Sequence, residues 1–449
     1  MKSKNIPTAK ETTPLPLEGQ GGGGNLPSDF IALMRSHLGD GQAEALFRGL
    51  QEPPTVAVRF NRCKLDYLKE TRGLALSPSL CDAVPWCPDA YYLPERYAFT
   101  FDPLFHAGVY YVQDASSMYL AEVLRKYLPL QTGCQPLPTS IKRMDSQCPL
   151  MALDLCAAPG GKSTLLATHL PKGSLLVSNE PLHKRAQVLA ENLQKWCRPI
   201  RSGGSATTAA DVLVTQEYPQ AFSHLRETFD LLLADVPCSG EGMFRKDEQA
   251  VCEWSLGNVR QCAERQREIL QAILPTLKPG GLLIYSTCTF NRWEDEEQVQ
   301  WLQATFGLRL LEERHFFPGR DRGEGLYMSV LQVPGDCLFG DVSEVHALKR
   351  KVFRTLHVMA DATDATPYLD ERTAQPLPQL ELSYIDAIAY LRHEGLHLSA
   401  PRGILVVTYE GLPLGLAKGV GNRLNNLYPS EWRIRTTYSP ADSLPPFFV

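Results

Sequence analysis

Between residues 151 and 290 short apolar runs alternate with segments of helical period. Met151–Cys156, Leu175–Ser178, Asp230–Val236 and Leu282–Ser286 are almost continuously apolar over strand length. Lys184–Trp196 and Arg260–Leu277, lying between them, repeat their apolar positions at helical spacing. Strands without a polar face must be covered on both sides, so the alternation predicts a parallel sheet with helices packed against each face. Two segments rich in Pro, Gly, Ser and Thr, 131–149 and 199–210, interrupt the pattern and read as surface insertions.

The flanks have a different texture. From Ser28, Phe30, Ile31, Met34 and Leu38 share one helical face, with Ser28 placed to cap it. Past Val56 come short strands and turns, including Tyr91–Leu93 and Val109–Val112. Beyond Pro334, Val342–Phe353 reads as a basic helix, Ser383–His393 as a second and Gly403–Tyr409 as a strand. No internal repeat is present. The expected organisation is a flexible tail over 1–27, an N-terminal domain over 28–112, an α/β core over 113–335 and a small mixed domain over 336–449.

Composition changes this picture little. The chain has 449 residues, 45 Lys+Arg against 50 Asp+Glu, a formal charge of −5 and 44% hydrophobic residues. It reads as a globular protein of several domains, and any polyanion contact must use a local basic face. No apolar run is long enough to span a membrane, and Met1–Leu17 lacks the apolar stretch of a secretory leader. Twelve cysteines without a compact framework point to reduced thiols and a cytoplasmic setting.

The candidate chemistry sits where strands end. After Leu153-Asp154-Leu155 come Cys156-Ala157-Ala158-Pro159-Gly160-Gly161-Lys162-Ser163, small residues that let a backbone turn sharply against a ligand at a helix N-terminus. A phosphate-binding P-loop requires glycine where Cys156 stands, and the dinucleotide fingerprint fails at Cys156 and Ala158. What remains is the related turn for S-adenosylmethionine, with an acid, Asp154, on the strand. A second acid, Glu180, ends the next strand, where a carboxylate accepts bonds from ribose hydroxyls.

Two further strands deliver thiols to the same rim: Asp235-Val236-Pro237-Cys238 and Ser286-Thr287-Cys288. Neither cysteine has the C-x-x-C or H-x-x-x-H company of a zinc site, so no metal is expected. A methyl donor beside two thiols suggests methylation of pyrimidine C5. That carbon becomes nucleophilic only after a thiolate adds to C6, and a base must then remove the C5 proton before the thiol leaves. Asp235 is placed to hold the ring at N3.

At Leu153–Thr164, Asp235–Asp247 and Tyr285–Asn291 the chain resembles the Sun/Fmu-type RNA cytosine-C5 methyltransferases, in particular their RsmF-like branch. The resemblance runs from about Leu26 to the C-terminus, apart from the insertions. It implies a Rossmann-like class I S-adenosylmethionine-dependent core, a small N-terminal α+β RNA-contacting domain and a C-terminal PUA-like α/β domain. Cys288 is then the nucleophile, and Cys238 assists proton removal and product release. Ala157, Ala158, Pro159, Gly160, Gly161, Lys162, Ser163, Glu180 and Asp235 contact the cofactor.

By the same resemblance Arg59, Asn61 and Lys64 contact RNA from the N-terminal domain, Lys246 from the catalytic domain, and Lys418 and Arg423 from the tail domain. The implied substrate is ribosomal RNA of the small subunit, and the implied active form a monomer. Transfer RNA, or an assembly role without catalysis, are the alternatives. One departure stands out: Tyr218 occupies a position where the family usually has Asp near the adenine, with Glu217 beside it.

Overall fold

The computed structural model describes residues 26–128, 148–200, 204, 206–335, 342–436 and 445–449. The expected tail, apart from its last two residues, lies outside these, as do most of the 131–149 insertion and residues 201–203 and 205 of the second.

The chain opens with helices α1 (Ser28–Leu38) and α2 (Asp40–Gln51), followed by β1 (Val56–Phe60), α3 (Arg62–Arg72), β2 (Ala90–Leu93), the short α4 (Pro103–His106) and β3 (Tyr110–Val112). Strand β1 lies between β2 and β3, antiparallel to both. Ser28 does not cap α1 as expected; Pro27 precedes the helix and no side chain caps it. Helix α3 was not legible in the sequence, because among its eleven mostly polar residues only Lys64 and Leu68 are buried. Helices α1 and α2 pack Phe30, Met34 and Leu46 against Phe244, Trp254 and Phe290, and so brace the catalytic domain.

The α/β core comprises α5 (Leu120–Tyr127), β4 (Met151–Asp154), α6 (Gly161–His169), β5 (Leu175–Asn179), α7 (His183–Cys197), β6 (Asp211–Thr215) and β7 (Phe229–Asp235). It continues with α8 (Glu248–Glu253), α9 (Leu256–Ile273), β8 (Leu277–Thr287), α10 (Glu296–Phe306), β9 (Arg309–Phe316), β10 (Leu326–Gln332), α11 (Val342–Thr355) and β11 (Val358–Asp361). The eight-stranded order is β11-β6-β5-β4-β7-β8-β10-β9. Strands β6 to β8 run parallel, while β10, β9 and β11 are antiparallel to their neighbours. The order reverses between β4 and β7, so a crevice opens at their carboxyl ends. Side chains of these two strands enter two apolar clusters, one on each face, as the run of apolar residues requires. Pro279-Gly280-Gly281, expected as a turn before the strand, lies inside β8. Gly280 takes φ +75°, and the register slips between Phe229↔Leu277 and Leu231↔Leu282.

The boundary expected at 335/336 moves. Val345, Leu348 and Val352 of α11 are buried with Leu213, Phe222 and Leu232, and β11 pairs with β6. The catalytic sheet therefore extends to Asp361. The C-terminal unit is a four-stranded sheet of β12 (Gln379–Glu381), β13 (Ala400–Tyr409), β14 (Leu412–Gly421) and β15 (Leu424–Asn426) with helix α12 (Tyr384–Leu391). It shares a core with the N-terminal sheet, in which Val58, Phe60 and Tyr110 meet Ile388, Leu405 and Phe447. No helix among the described residues is long and apolar enough to cross a membrane.

The expectation that Arg59, Asn61 and Lys64 touch RNA is corrected here. Their relative exposures are 2%, 4% and 1%, which leaves no surface for a phosphate. The Arg59 guanidinium lies 4.3 Å from the Trp196 ring centre and donates to Gln113 Oε1 and Thr164 Oγ1. Lys64 Nζ donates to the carbonyls of Ala107 at 2.7 Å and Lys195 at 2.6 Å, and Asn61 Nδ2 to that of Trp196 at 3.0 Å. Burial, reinforced by the Arg198 charge, lowers the Lys64 ammonium to about 7. These residues lock the N-terminal sheet onto α6 and α7. Arg59→Met is thus expected to lower unfolding stability by roughly 2–3 kcal/mol while leaving RNA affinity of the folded protein unchanged. A direct RNA contact would give the reverse in thermal melts and binding titrations.

Candidate active site

Five chain segments meet at the crevice: the β4–α6 turn, the end of β5, the end of β7, the end of β8 and the loop after β6. The turn holds Ala157 and Ala158 buried; Ala157 N–H donates to Asn179 O at 2.8 Å. Gly160 ends the turn at φ +113°, where a Cβ would also press on Leu189. Helix α6 starts at Gly161, so its free N–H groups face the crevice.

Asp154, fully buried at the end of β4, accepts from Ser163 Oγ at 2.6 Å through Oδ2, and its Oδ1 has no hydrogen-bond partner. Burial, partly offset by the Ser163 bond, lifts its carboxyl to about 7. Glu180 is 1% exposed. Its Oε1 accepts from Leu182 N–H at 3.0 Å; Oε2 makes no hydrogen bond and lies 3.3 Å from Arg185 Nη1.

Two buried carboxylate oxygens awaiting donors, beside a turn of small residues, fit the ribose and methionine portions of S-adenosylmethionine. The Ser163 hydroxyl is used on Asp154, so that serine acts by orienting the acid. Glu217, the acid beside the position where the family has Asp, is engaged elsewhere: its Oε1 accepts from His357 N–H at 2.8 Å. Tyr218 stands 65% exposed.

Asp235 ends β7 with both oxygens engaged, Oδ2 by Lys162 Nζ at 2.9 Å and Oδ1 by Ser286 Oγ at 2.7 Å. Burial works against the Lys162 charge, but Asp235 more than offsets it and holds the ammonium above its ordinary value. Lys162 therefore orients Asp235.

Beyond these ends the two thiols converge. Cys238 Sγ lies 3.2 Å from Cys288 Sγ and accepts from Cys288 N–H at 3.4 Å. The Cys238 thiol is held well above the usual thiol range, first by its bond to Cys288, then by burial and the neighbouring charges. At 3.2 Å either thiol can donate its S–H to the other sulfur. The loops carrying the cysteines are sewn together: Gly242 N–H donates to Cys288 O at 2.8 Å, and a Cβ at Gly242 would lie 3.0 Å from that oxygen.

Of the candidate RNA contacts, Lys246 reaches Glu324 at 3.6 Å, and Lys418 and Arg423 are exposed on the β14 hairpin. Sequence reasoning missed Ser286, which anchors Asp235, and the polar groups behind the thiols. Their only signal was their position inside the cysteine motifs.

A doubly covered sheet with acids on adjacent strand ends and two adjoining thiols on its rim is the architecture of a Rossmann-like enzyme core. The family model described as 16S rRNA methyltransferase RsmB/F matches residues 143–332. Models for the N-terminal domain of 16S rRNA methyltransferase RsmF and for the methyltransferase RsmF PUA domain match 26–115 and 378–434.

Ribosomal RNA small subunit methyltransferase F of Salmonella arizonae is 32% identical over 494 residues, covering 90% of this chain and 96% of that relative. The Cronobacter sakazakii protein of the same name is 28% identical over 495 residues, with the same coverage. The Pectobacterium atrosepticum protein is 32% identical over 294 residues, about half (54%) of its length. Two solved structures share the fold over about two-thirds of the chain. They are a methyltransferase homolog protein from Pyrococcus horikoshii (TM-score 0.51, 23% identical, 68% of this chain and 94% of that one) and NSun6 from the same organism with SFG (TM-score 0.51, 18% identical, 69% and 99%). The chain belongs to the RsmB/F family of S-adenosylmethionine-dependent RNA methyltransferases.

Glu180 offers a direct check of the cofactor site. Glu180→Gln is expected to raise the KM for S-adenosylmethionine about 10- to 100-fold, the worth of one charged hydrogen bond, with the RNA KM unchanged in steady-state assays.

Proposed function

We propose that this chain transfers a methyl group to C5 of a cytosine in small-subunit ribosomal RNA, acting as a cytoplasmic monomer. The observation carrying the reading is the 3.2 Å approach of Cys238 and Cys288 sulfurs beside Asp235, on the rim where Asp154 and Glu180 await a cofactor. Asp154, Glu180 and the small residues of the 157–161 turn hold S-adenosylmethionine, which supplies an electrophilic methyl when bound. Both cysteines and all these acids come from one chain, so the site is complete without a residue from a second copy.

Cys288 adds through sulfur to C6 of the cytosine, and its proton passes to N3 of the ring. The electron pair moves toward N3, where Asp235 and Lys162 hold the ring and its proton, and C5 gains the methyl. Once Cys288 is bonded to C6, the sulfur–sulfur hydrogen bond that held the Cys238 thiol up is gone; Cys238, as its thiolate, accepts the C5 proton, and the N3 proton returns to solvent. The S–C6 bond breaks, the ring regains aromaticity and Cys288 recovers its electron pair. A low-dielectric crevice lined by buried acids favours this charge movement over hydrolysis.

RNA is gripped by Lys246, which pairs with Glu324 at 3.6 Å, and by Lys418 and Arg423 on the C-terminal hairpin, whose exposed cations suit phosphates. Removing both hairpin charges (Lys418→Ala with Arg423→Ala) is expected to weaken RNA binding and flatten the slope of log K against log salt by roughly 1–2. An unchanged slope would detach the hairpin from the RNA path. The substrate is tested by bisulfite sequencing of cellular RNA with and without the gene. One cytosine of small-subunit RNA losing its mark supports the reading, whereas a lost mark confined to transfer RNA, or none lost, overturns it.

A further inference from the structure

Behind the two sulfurs lies a closed box of buried polar groups that the reaction as written does not use. Glu241, in the Cys238 loop, reaches across to accept Phe290 N–H of the Cys288 loop at 2.7 Å through Oε2. Glu294 reaches the opposite way and accepts Ser239 N–H at 2.9 Å through Oε2. Asn291 Nδ2 lies between them, donating to Glu241 Oε1 at 3.0 Å and Glu294 Oε1 at 2.8 Å. Trp254 Nε1 completes Glu241 at 3.0 Å, and Gln266 Nε2 completes Glu294 at 2.8 Å. All four side chains Glu241, Asn291, Glu294 and Gln266 have zero exposure.

Two carboxylates at zero exposure, bonded in this box by neutral donors, are an expensive way to hold two loops. An apolar plug of the same volume would stabilise the fold as well or better. What carboxylates provide that a plug cannot is reach: each fixes a backbone N–H of the opposite cysteine loop, one residue past Cys238 and two past Cys288. Such reciprocal, fully bonded networks rigidify what they connect.

We propose that Glu241 and Glu294 are positioning residues for the dithiol, setting the approach of the Cys238 and Cys288 sulfurs through crossed bonds to each other's loop. The inference rests on the reading of that pair as the reacting groups. Burial, with the Glu294 charge next, raises the Glu241 carboxyl to about 7, and burial raises Glu294 as well. The Glu294 charge also contributes to raising the Cys238 thiol.

The test uses full-length protein and substrate RNA carrying 5-fluorocytidine. Fluorine at C5 cannot leave as a proton, so the enzyme is trapped as a covalent adduct after methyl transfer. The near-isosteric Glu241→Gln and Glu294→Gln variants keep the shape of the box while turning one acceptor in each into a donor that faces a donor. Asn291→Ser removes the shared donor and leaves both acids. The control is Asp230→Asn, which breaks the buried pair to Lys278 (2.7 Å) at the opposite ends of β7 and β8.

The box variants are expected to slow single-turnover adduct formation about 10- to 100-fold, the usual penalty for misplaced reacting groups, with KM for S-adenosylmethionine and RNA unchanged. The Asp230→Asn variant is expected to melt earlier and form adduct at the parental rate. Adduct rates equal to the parent in all three box variants would overturn the inference, as would losses that simply follow melting temperature across the box variants and the control. Absence of any adduct with the parent enzyme would instead defeat the reading of the dithiol itself.

Discussion

Cys288→Ala is expected to abolish methyl transfer, with turnover falling roughly 10⁴-fold or more, as when a nucleophile that forms a covalent intermediate is removed. Cytosine C5 has no other route to nucleophilicity in this crevice. Asp235 and Lys162 are engaged with one another and with Ser286, so they orient and neutralise but cannot add to carbon. Binding should survive, because the Cys288 side chain is small and the loop that carries it is fixed by Gly242 N–H on its carbonyl and by Cys238 Sγ on its own N–H. Tritium transfer from methyl-labelled S-adenosylmethionine measures the first effect and filter binding the second. Residual activity of even one-tenth would show that another group activates C5.

The second large effect belongs to Cys238. Its sulfur touches Cys288 Sγ, a geometry suited to the steps after methyl transfer rather than to attack. Cys238→Ala is expected to let the adduct form and then persist, because the C5 proton is no longer removed and the S–C6 bond cannot break. Turnover should fall about 10²- to 10³-fold, the range for loss of a positioned proton-transfer group. A protein–RNA band resistant to denaturing electrophoresis should appear with ordinary cytosine, without fluorine. The paired outcome is diagnostic: no band with Cys288→Ala, an accumulating band with Cys238→Ala. If both variants lose the band, Cys238 is needed for attack and the division of labour is wrong.

The site was more legible in the sequence than the domain boundaries, for a physical reason. In a parallel sheet the carboxyl ends of the strands form one rim, so an acid or thiol directly after an apolar run is located by the run itself. Asp154, Glu180, Asp235, Cys238 and Cys288 were found that way, and the strands that carry them lie side by side as β5-β4-β7-β8.

Strand β11 gave no such signal. It has only four residues, all half-buried, and it pairs antiparallel to an edge reached after the chain has left the core. The Arg59-Asn61-Lys64 segment misled for a related reason. The likeness to the family's RNA-contacting segment is local, whereas the acceptors of these side chains are Gln113, Thr164, Ala107 O, Lys195 O and Trp196 O, far along the chain. Burial is decided by those distant partners, and local spacing is silent about them. The crossed Glu241 and Glu294 bonds were hidden likewise, since each acid is read as a surface residue until the opposite loop is brought up to it.

The identity of the attacking sulfur is the claim from which the assigned roles follow. Peptide-level mass spectrometry of the adduct formed between the intact enzyme, S-adenosylmethionine and 5-fluorocytidine RNA examines it most directly. The account predicts a methylated fluoropyrimidine nucleotide on the peptide containing Cys288 and an unmodified Cys238 peptide. The same mass on Cys238, with Cys288 bare, would contradict it.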